Sequence, residues 1–243
     1  MQVVTLLLQS PLYGGTHNLF SYTLPRFGIT TSFVDTSDPD AFARAIKPNT
    51  VMLFTETISN PDCSVADIPR LASVAHEFGL PLVVDATLTT PYLMKPIEFG
   101  ADIIIHSLTK FIGGHGTTIG GVVIDGGVFD WLSSAEKFPT LCKPYDGFDG
   151  LNFAEEFGPS AFIIRARREG LRDFGACLSA TSAFQLLQGV ETLSLRMARH
   201  VTNTEAVVDF LCEQESVEQV FHPRLKKHRD HELSRVLYPK GIG

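Results

Sequence analysis

The hydrophobic positions of this chain are grouped in short unbroken runs rather than in an alternating pattern. The runs stand at residues 3–8, 51–54, 82–85, 101–105 and 121–125. Strands that are apolar on both faces are typical of a sheet covered on both sides, and helical stretches lie between the runs. The pattern therefore predicts an α/β fold with a mainly parallel sheet and right-handed crossovers.

Helical spacing is found between these runs and in the last third of the chain. Apolar residues recur at helical spacing from residue 68 to 78, with Asp67 as the predicted N-cap and Gly79 as the stop. Residues 35–46 predict a turn and a short helix, and residues 96–99 a helical turn. Beyond about residue 158 few strand signals occur, and helices are predicted at 162–173, 179–199 and 201–214.

The composition is that of an ordinary globular protein and argues against a nucleic-acid partner. The 243 residues are 44% hydrophobic and 19% charged, with a formal net charge of −7. The basic clusters at 165–168 and 226–229 are short, and we interpret them as solvated faces. The opening apolar run is too short for a membrane span and lacks a signal-peptide pattern. Neither a nucleic-acid nor a membrane partner is expected.

The spacing of cysteines and histidines does not indicate a metal site. The four cysteines stand at positions 63, 142, 177 and 212, without a Cys-x-x-Cys spacing. We interpret them as reduced thiols of a cytoplasmic protein. His228 and His231 are close in sequence, but their charged neighbours predict exposure, so no metal is expected there.

The chemically suggestive residues follow two of the predicted strands. Asp85 ends the run at 82–85, and Ser107, Thr109 and Lys110 follow the next run along the chain. Ligands of open α/β sheets bind outside the carboxyl ends of the strands, and these two ends are one crossover apart. A carboxylate, an amine and two hydroxyls at one edge suit a cofactor that carries an aldehyde and a phosphate.

Pyridoxal 5′-phosphate (PLP) is such a cofactor, and its chemistry assigns a role to each group. The Lys110 amine can form a Schiff base with the aldehyde, and the Asp85 carboxylate can keep the pyridine nitrogen protonated. Ser107 and Thr109 offer hydroxyl groups to the phosphate. These positions therefore predict a PLP site.

Two further positions support the same site. The backbone N–H groups of residues 113–114 are candidates for the phosphate, and Tyr13 is a candidate for stacking on the cofactor ring. Taken singly, each position has an ordinary explanation: an Asp after a strand is usually a cap, and a glycine pair a flexible turn. Taken together and in register, they favour the cofactor site. Nucleotide-binding loops and the serine-hydrolase elbow are missing from the sequence.

Longer segments around these residues resemble the trans-sulfuration (Cys/Met metabolism) family of PLP-dependent enzymes. The segments are 12–16, 56–61, 81–93 and 100–116, and the likeness runs from Tyr13 to the end of the chain. The segment around Lys110 is the most specific of them. The resemblance implies the aspartate aminotransferase-like fold of PLP-dependent transferases (fold type I), with a mainly parallel sheet.

The resemblance also implies the roles of individual residues. Lys110 is expected to anchor PLP and to move protons as general base and acid, and Tyr13 is expected to act as an acid or base besides stacking. The expected cofactor-binding residues are Lys110, Asp85, Ser107, Thr109, Tyr13, Asn60 and Thr87. Asn60 matches the asparagine that meets the phenolic oxygen. Ala86 departs from the family, which usually has Asn there, so one supporting hydrogen bond is expected to be absent.

Within the family, the segments 120–131, 157–162 and 187–196 and the insert 133–156 favour the O-acetylhomoserine sulfhydrylase branch. This likeness implies γ-replacement on O-acetylhomoserine by sulfide or methanethiol, giving homocysteine or methionine. Cystathionine γ-synthase and methionine γ-lyase resemble the chain less and are kept as alternatives. An inactive fragment that acts only as an interaction module is a third possibility.

The resemblance sets expectations for domains and assembly as well. Residues 1–200 are expected to form a PLP-binding large domain without its N-terminal part, and residues 201–243 a linking helix and the start of a truncated small domain. Family members have an N-terminal arm, an upstream phosphate loop and a C-terminal arginine for the substrate carboxylate, so the chain is expected to be incomplete at both ends. An intact protein is expected to be a homo-oligomer, a dimer or tetramer.

Overall fold

A six-stranded sheet forms the centre of the protein in the computed structural model, which describes residues 4–35, 38 and 40–243. The strands are β1 Val4–Ser10, β2 Ile29–Asp35, β3 Thr50–Glu56, β4 Leu82–Asp85, β5 Ile103–Ser107 and β6 Gly121–Asp125. Their order is β2-β1-β3-β4-β5-β6. The strands β1 to β5 pair in parallel, whereas β6 is antiparallel to β5. The predicted α/β fold with a mainly parallel sheet is confirmed.

Each apolar run of the sequence forms a strand, and one strand was not predicted. The first run begins at residue 3, which lies outside the described residues, and continues as β1. The unpredicted strand is β2, in which Thr30, Thr31 and Ser32 interrupt the apolar positions and only Val34 is buried. Because β2 is an edge strand, it needs no continuous apolar surface, and its sequence signal is correspondingly weak.

Helices cover both faces of this sheet. They are α1 Gly14–Asn18, α2 Ala41–Ala45, α3 Ile68–Glu77, α4 Thr90–Leu93, α5 Pro139–Cys142, α6 Phe153–Phe157, α7 Ala161–Arg165, α8 Arg172–Phe174, α9 Ala180–Glu191, α10 Leu193–Cys212 and α11 His231–Leu237. Short 3-10 or π-type turns occupy Leu19–Thr23, Leu24–Phe27, Pro96–Phe99, Leu108–Ile112, Leu132–Ser134, Asp146–Phe148, Gly158–Ser160 and Ala166–Leu171. The predicted turn and helix at 35–46 corresponds to α2, and residues 36, 37 and 39 lie outside the described residues.

Both ends of α3 are formed by the residues that the sequence singled out. The Asp67 side chain accepts a hydrogen bond from the Arg70 N–H at 3.1 Å and so caps the first turn. Gly79 adopts φ +61° just after the helix, a conformation that favours glycine. The predicted helix and its limits are confirmed.

Alternate residues of the strands enter two separate hydrophobic clusters. On one face Leu7 and Val84 pack with the apolar side of α3. On the other face Leu8 and Val83 pack with an aromatic group around Trp131. Side chains along a strand point alternately to opposite faces, so both faces of the central strands β1, β3, β4 and β5 are buried, as their unbroken apolar runs predicted, whereas the edge strand β6 is largely exposed.

The long helical region is divided at a different place from the one predicted. The helices α9 and α10 meet at Thr192, and α10 then continues without a break through residues 200 and 201. The prediction of a helix end at residue 199 is therefore wrong. The division into a large and a small domain at residue 200 stays a prediction, and this position falls inside α10.

The segment that follows α10 folds back onto the sheet. The Asp230 carboxylate accepts from the Val65 N–H at 2.9 Å, and the side chains of His228 and His231 are only 10% and 14% exposed. The prediction that these histidines are exposed is wrong: Lys226, Lys227 and Arg229 are exposed, whereas the histidines and Asp230 lie on the packed side of the segment. In the described part of the chain, no cluster of three or more potential ligands could hold a metal ion. No described helix is long and apolar enough to cross a membrane.

Candidate active site

The carboxyl ends of β1, β3, β4 and β5 meet at one edge of the sheet and border a cavity of about 740 Å³. This edge includes the point between β1 and β3 where the strand order reverses, the usual ligand site of open α/β sheets. The cavity is lined by every site residue that the sequence predicted, namely Tyr13, Asn60, Asp85, Thr87, Ser107, Thr109 and Lys110. A hollow of about 820 Å³ near residues 211–229 lies away from these strand ends.

Lys110 lies in the turn Leu108–Ile112, which follows β5 directly. Its backbone has φ −88° and ψ −126°, so the turn departs from helical geometry at this residue. The side chain is exposed and lines the cavity, and it forms no hydrogen bond or ion pair with the residues that the structure describes. The amine is therefore available to a ligand in the cavity.

Asp85 lies beside the Lys110 turn because β4 and β5 pair in parallel, with Asp85 opposite Ile105. Its Oδ1 atom accepts from the Thr87 N–H at 2.9 Å, and the Thr87 hydroxyl accepts from the Ser107 N–H at 2.8 Å. No described residue donates to Oδ2. This half-buried carboxylate therefore has one oxygen left for a donor inside the cavity.

The hydroxyl groups near Lys110 differ in their availability. The Ser107 side chain forms no hydrogen bond within the described part of the protein, whereas the Thr109 hydroxyl donates to Gly120 O at 3.3 Å and accepts from Gly120 N–H at 3.1 Å. The Ser107 hydroxyl is thus the freer of the two to bind a ligand in the cavity.

The expectation that the glycine pair at 113–114 offers its N–H groups to a phosphate is wrong. The Gly113 N–H donates to Leu108 O at 2.9 Å, and the Gly114 N–H donates to Lys110 O at 2.8 Å. Both donors are used to close the turn around Lys110, so the pair shapes the site rather than contacting a ligand through these groups.

Glu56 joins the two loops that carry Tyr13 and Asn60. Its Oε1 accepts from the Tyr13 N–H at 3.0 Å, and its Oε2 accepts from the Asn60 N–H at 3.1 Å. Glu56 is only 5% exposed, and this burial raises the pKa of its carboxyl group to about 7. The Tyr13 side chain is 48% exposed and borders the cavity, as a residue that stacks on a ligand must.

The site also contains residues that the sequence did not single out. Glu56, Phe111, Arg196 and His200 line the same cavity. Glu56 could have been found, because it ends a buried strand as Asp85 does. Arg196 and His200 lie on the helix α10 far along the chain, and no local pattern distinguishes them from other polar residues of that helix.

Ala86, where the family usually has Asn, is fully buried behind the site. Its carbonyl oxygen lies 3.0 Å from the His106 Nδ1 atom, and burial lowers the pKa of this histidine. The methyl group offers no hydrogen bond to the cavity.

The donor set of this cavity fits PLP. An amine, a carboxylate oxygen and a hydroxyl, none of them hydrogen-bonded within the described residues, line one space with an exposed tyrosine ring; they belong to Lys110, Asp85, Ser107 and Tyr13. These groups correspond to the aldehyde, the protonated pyridine nitrogen, the phosphate and the ring of the cofactor. The space is large enough for a small organic ligand.

Known proteins resemble this chain along almost its whole length. The model of the Cys/Met metabolism PLP-dependent enzyme family matches residues 3–240. Homocysteine synthase of Schizosaccharomyces pombe is 48% identical over 235 residues, which are 96% of this chain and 55% of that protein. O-acetyl-L-homoserine sulfhydrylase of Leptospira meyeri is 45% identical over 241 residues, 96% of this chain and 54% of that protein. The chain spans about half the length of the curated relatives it matches.

Solved structures agree with these sequence relatives. An O-acetylhomoserine (thiol)-lyase structure from Campylobacter jejuni, which carries N′-pyridoxyl-lysine-5′-monophosphate, superposes with a TM-score of 0.93 at 34% identity. It covers 98% of this chain, which corresponds to 59% of the Campylobacter chain. O-acetylhomoserine sulfhydrylase of Wolinella succinogenes superposes with a TM-score of 0.85 at 37% identity, covering 98% of this chain and 65% of the other. The fold expected from the resemblance is confirmed, and the chain belongs to the Cys/Met metabolism family of PLP-dependent enzymes.

Proposed function

We propose that this chain binds PLP through a covalent bond from the Lys110 amine and forms the catalytic centre of an O-acetylhomoserine sulfhydrylase. The observation that carries the proposal is the position of Asp85 at the end of β4 and of Lys110 in the turn after the neighbouring parallel strand β5: both residues line one cavity, and each has a polar side-chain atom without a partner among the described residues. A Schiff-base amine and a pyridinium partner are the two groups that this cofactor requires.

Lys110 has a second role in the proposal, as the group that moves protons. PLP, when bound, supplies an electron sink that stabilises negative charge on substrate carbon atoms. With PLP and substrate bound, the Lys110 Nζ atom would remove the proton from the substrate Cα and would move protons at Cβ. The exposed side chain and the missing ion-pair partner within the described residues support this role.

The other residues hold and orient the cofactor in this proposal. The free oxygen of Asp85 accepts from the pyridine nitrogen, Tyr13 stacks on the ring and contributes an acid or base, and Asn60 meets the phenolic oxygen. Ser107 and Thr109 donate to the phosphate, with Ser107 the freer of the two. Thr87 acts by bridging, since it joins the Asp85 carboxylate to the Ser107 backbone.

The proposed reaction is γ-replacement: acetate leaves Cγ of O-acetylhomoserine, and sulfide or methanethiol takes its place to give homocysteine or methionine. The relatives named homocysteine synthase and O-acetyl-L-homoserine sulfhydrylase support this choice. Because the chain spans about half of these relatives, the activity is proposed for the protein with all segments that the reaction requires.

The test of the cofactor site is covalent labelling. We expect the protein with PLP to develop the visible absorbance of the bound cofactor, and borohydride reduction followed by peptide mapping to place the label on Lys110. Lys110→Ala removes the borohydride-fixed label and the Schiff-base absorbance, leaving at most the absorbance of the free aldehyde. Lys95→Ala is the matched control, because Lys95 is an exposed lysine whose partner is Glu98 on the surface. Labelling of another lysine, or none at all, contradicts the proposal.

The test of the reaction compares substrates. We expect homocysteine from O-acetylhomoserine and sulfide, and no comparable release of methanethiol from methionine. Efficient cleavage of methionine, or use of cysteine as the sulfur donor with cystathionine as product, would assign the protein to another branch of the family.

Assembly, domains and location belong to the same proposal. Large apolar side chains near and on α9 are exposed, including Phe174, Phe184 and Leu187, which supports a homo-oligomer. The domain division near residue 200 and a cytoplasmic location are proposed with it, and the four free cysteines support the location. Light scattering of the protein with PLP measures the oligomeric state, and a monomer contradicts that part.

A further inference from the structure

Arg196 connects three parts of the chain at the wall of the candidate site. Its Nη1 atom donates to Phe111 O at 2.6 Å, and its Nη2 atom donates to Ile112 O at 3.2 Å and to Gly189 O at 2.6 Å. Its Nε atom donates to Thr192 Oγ1 at 3.0 Å. One guanidinium group thus joins the turn after β5, the end of α9 and the start of α10.

The glycines around this group leave room for it. A Cβ atom on Gly114 would lie 2.5 Å from the Arg196 guanidinium carbon, and a Cβ atom on Gly189 would lie 2.1 Å from Gly113 O. Gly114 also has φ +73°. The lysine turn, α9 and the guanidinium group therefore approach one another more closely than residues with side chains would permit.

The chemistry of this contact requires arginine. The planar guanidinium group offers donors in fixed directions, and here it serves three carbonyl groups and a hydroxyl at once. A lysine ammonium group is a point charge and cannot reach all four acceptors from one position. No carboxylate among the described residues forms an ion pair with Arg196, so its hydrogen-bonding capacity is directed at the backbone.

We propose that Arg196 is a positioning residue that holds the turn after β5 in the irregular conformation which presents the Lys110 amine to the cavity. The turn is non-helical at Lys110 itself, and two of the three carbonyl groups that Arg196 binds belong to the next two residues of the turn. The inference rests on the proposed function for the identity of the ligand, whereas the clamp on the turn is a property of the protein alone.

The experiment compares Arg196→Lys and Arg196→Met with the control Arg199→Met. Arg199 is an exposed residue of the same helix and forms no hydrogen bond or ion pair with the described residues. Amide hydrogen exchange of residues 106–116, without PLP, reports on the turn. The rate of borohydride-trapped PLP incorporation at Lys110 and the pH dependence of the cofactor absorbance report on the amine.

We expect both Arg196 variants to exchange the amides of the turn about tenfold faster, since hydrogen bonds to the turn are lost. PLP incorporation at Lys110 falls by roughly tenfold to a hundredfold, as for a reacting group displaced by about 1 Å. The pH midpoint of the absorbance shifts in both variants and not in the control. Methylguanidinium added to Arg196→Ala restores part of the incorporation rate.

Three results overturn the proposal: unchanged exchange in the turn, unchanged incorporation, or faster exchange spread evenly over the whole sheet, which indicates a general structural role. If Arg196→Met does not fold, Thr192→Val decides, because it removes the acceptor that orients Nε, together with the hydrogen bond that the Thr192 hydroxyl donates to Gly189 O at 3.4 Å; an unchanged turn in that variant also overturns the proposal. Absence of Lys110 labelling in the unmodified protein refutes the proposed function instead, and the exchange data still test the clamp.

Discussion

Glu56 shows how a single buried group can tie two loops of the site together. Its carboxylate oxygens accept from the backbone N–H groups of Tyr13 and Asn60, but it is shielded from water and lies near Asp85 and Asp62, which also raise its pKa. The hydrogen bonds favour the charged form, whereas burial opposes it and is the larger effect. The loops are therefore held by a group that titrates close to neutral pH.

This titration predicts a pH dependence of stability. The folded protein keeps the Glu56 proton up to a pKa of about 7, whereas an unfolded chain releases it near 4.5. Between these values the folded state binds more protons, so its stability falls as the pH rises. For the unmodified protein we expect the free energy of unfolding to fall by on the order of 2 kcal/mol between pH 4.5 and 7. The Glu56→Gln variant should lack this decrease.

Urea unfolding of both proteins at several pH values between 4.5 and 7 measures the difference. Glu77→Gln is the control, because Glu77 is an exposed residue of α3 without an ion pair to the described residues, and its pH profile should follow the unmodified protein. Parallel profiles for the unmodified protein and Glu56→Gln would contradict the prediction.

At the level of elements, the contact between α9 and the lysine turn depends on one glycine. Gly189 is buried, and an added Cβ atom would meet the backbone oxygen of Gly113 at 2.1 Å, which no side-chain movement can relieve. We expect Gly189→Ala to force the helix away from the turn and to destabilise the protein by about 1–3 kcal/mol, despite the higher helix propensity of alanine.

Gly170 provides the matched control for this substitution. It also lies in a helical segment, and a Cβ atom there meets nothing within 4 Å. Gly170→Ala should be neutral or stabilise the protein by up to about 1 kcal/mol. Chemical denaturation compares the two variants, and equal effects would show that the close approach at Gly189 has no energetic importance.

The elements differ in how far the sequence could predict them. The buried strands β3 to β5 and the more exposed strand β6 were found because an apolar run is a local signal, and α3 because Asp67 and Gly79 mark its ends. The edge strand β2 gave no such run. The break at Thr192 has neither glycine nor proline, and it is stabilised by the contacts of Arg196 with residues about 85 positions earlier. Contacts of that kind leave no local pattern.

The residues of the site also divide into those with a local sequence signal and those placed by contacts between distant parts of the chain. The predicted residues follow strand ends, and a parallel sheet brings such ends together whatever the details of the loops. The use of the 113–114 backbone N–H groups within the turn could not be foreseen, because it depends on the exact conformation at Lys110. Arg196 and His200 enter the cavity from α10 only through the packing of the whole molecule.

The whole molecule is held together by one sheet whose two faces are covered by different segments. Trp131, the single tryptophan, is 6% exposed and stacks on Phe162 with a centroid distance of 5.7 Å. Its fluorescence therefore reports only on the face of the sheet that the aromatic cluster covers. Val83 and Val84 are neighbours on β4 and pack in the hydrophobic clusters on opposite faces of the sheet. Unfolding of one cluster should therefore disrupt the other.

We therefore expect a single cooperative transition. Unfolding curves from Trp131 fluorescence and from far-ultraviolet circular dichroism should coincide in urea. A fluorescence transition at lower urea concentration would mean that the aromatic face, with the insert 133–156, unfolds separately and that the two clusters are independent.

The cavity draws residues from Tyr13 to His200, so most of the chain must be in place before it exists. Contacts between residues so far apart in sequence form late in folding, since the entropy of closing long loops opposes them. A cofactor that recognises the finished cavity cannot guide the early steps. Its binding is therefore expected to slow unfolding of the completed protein much more than it accelerates folding.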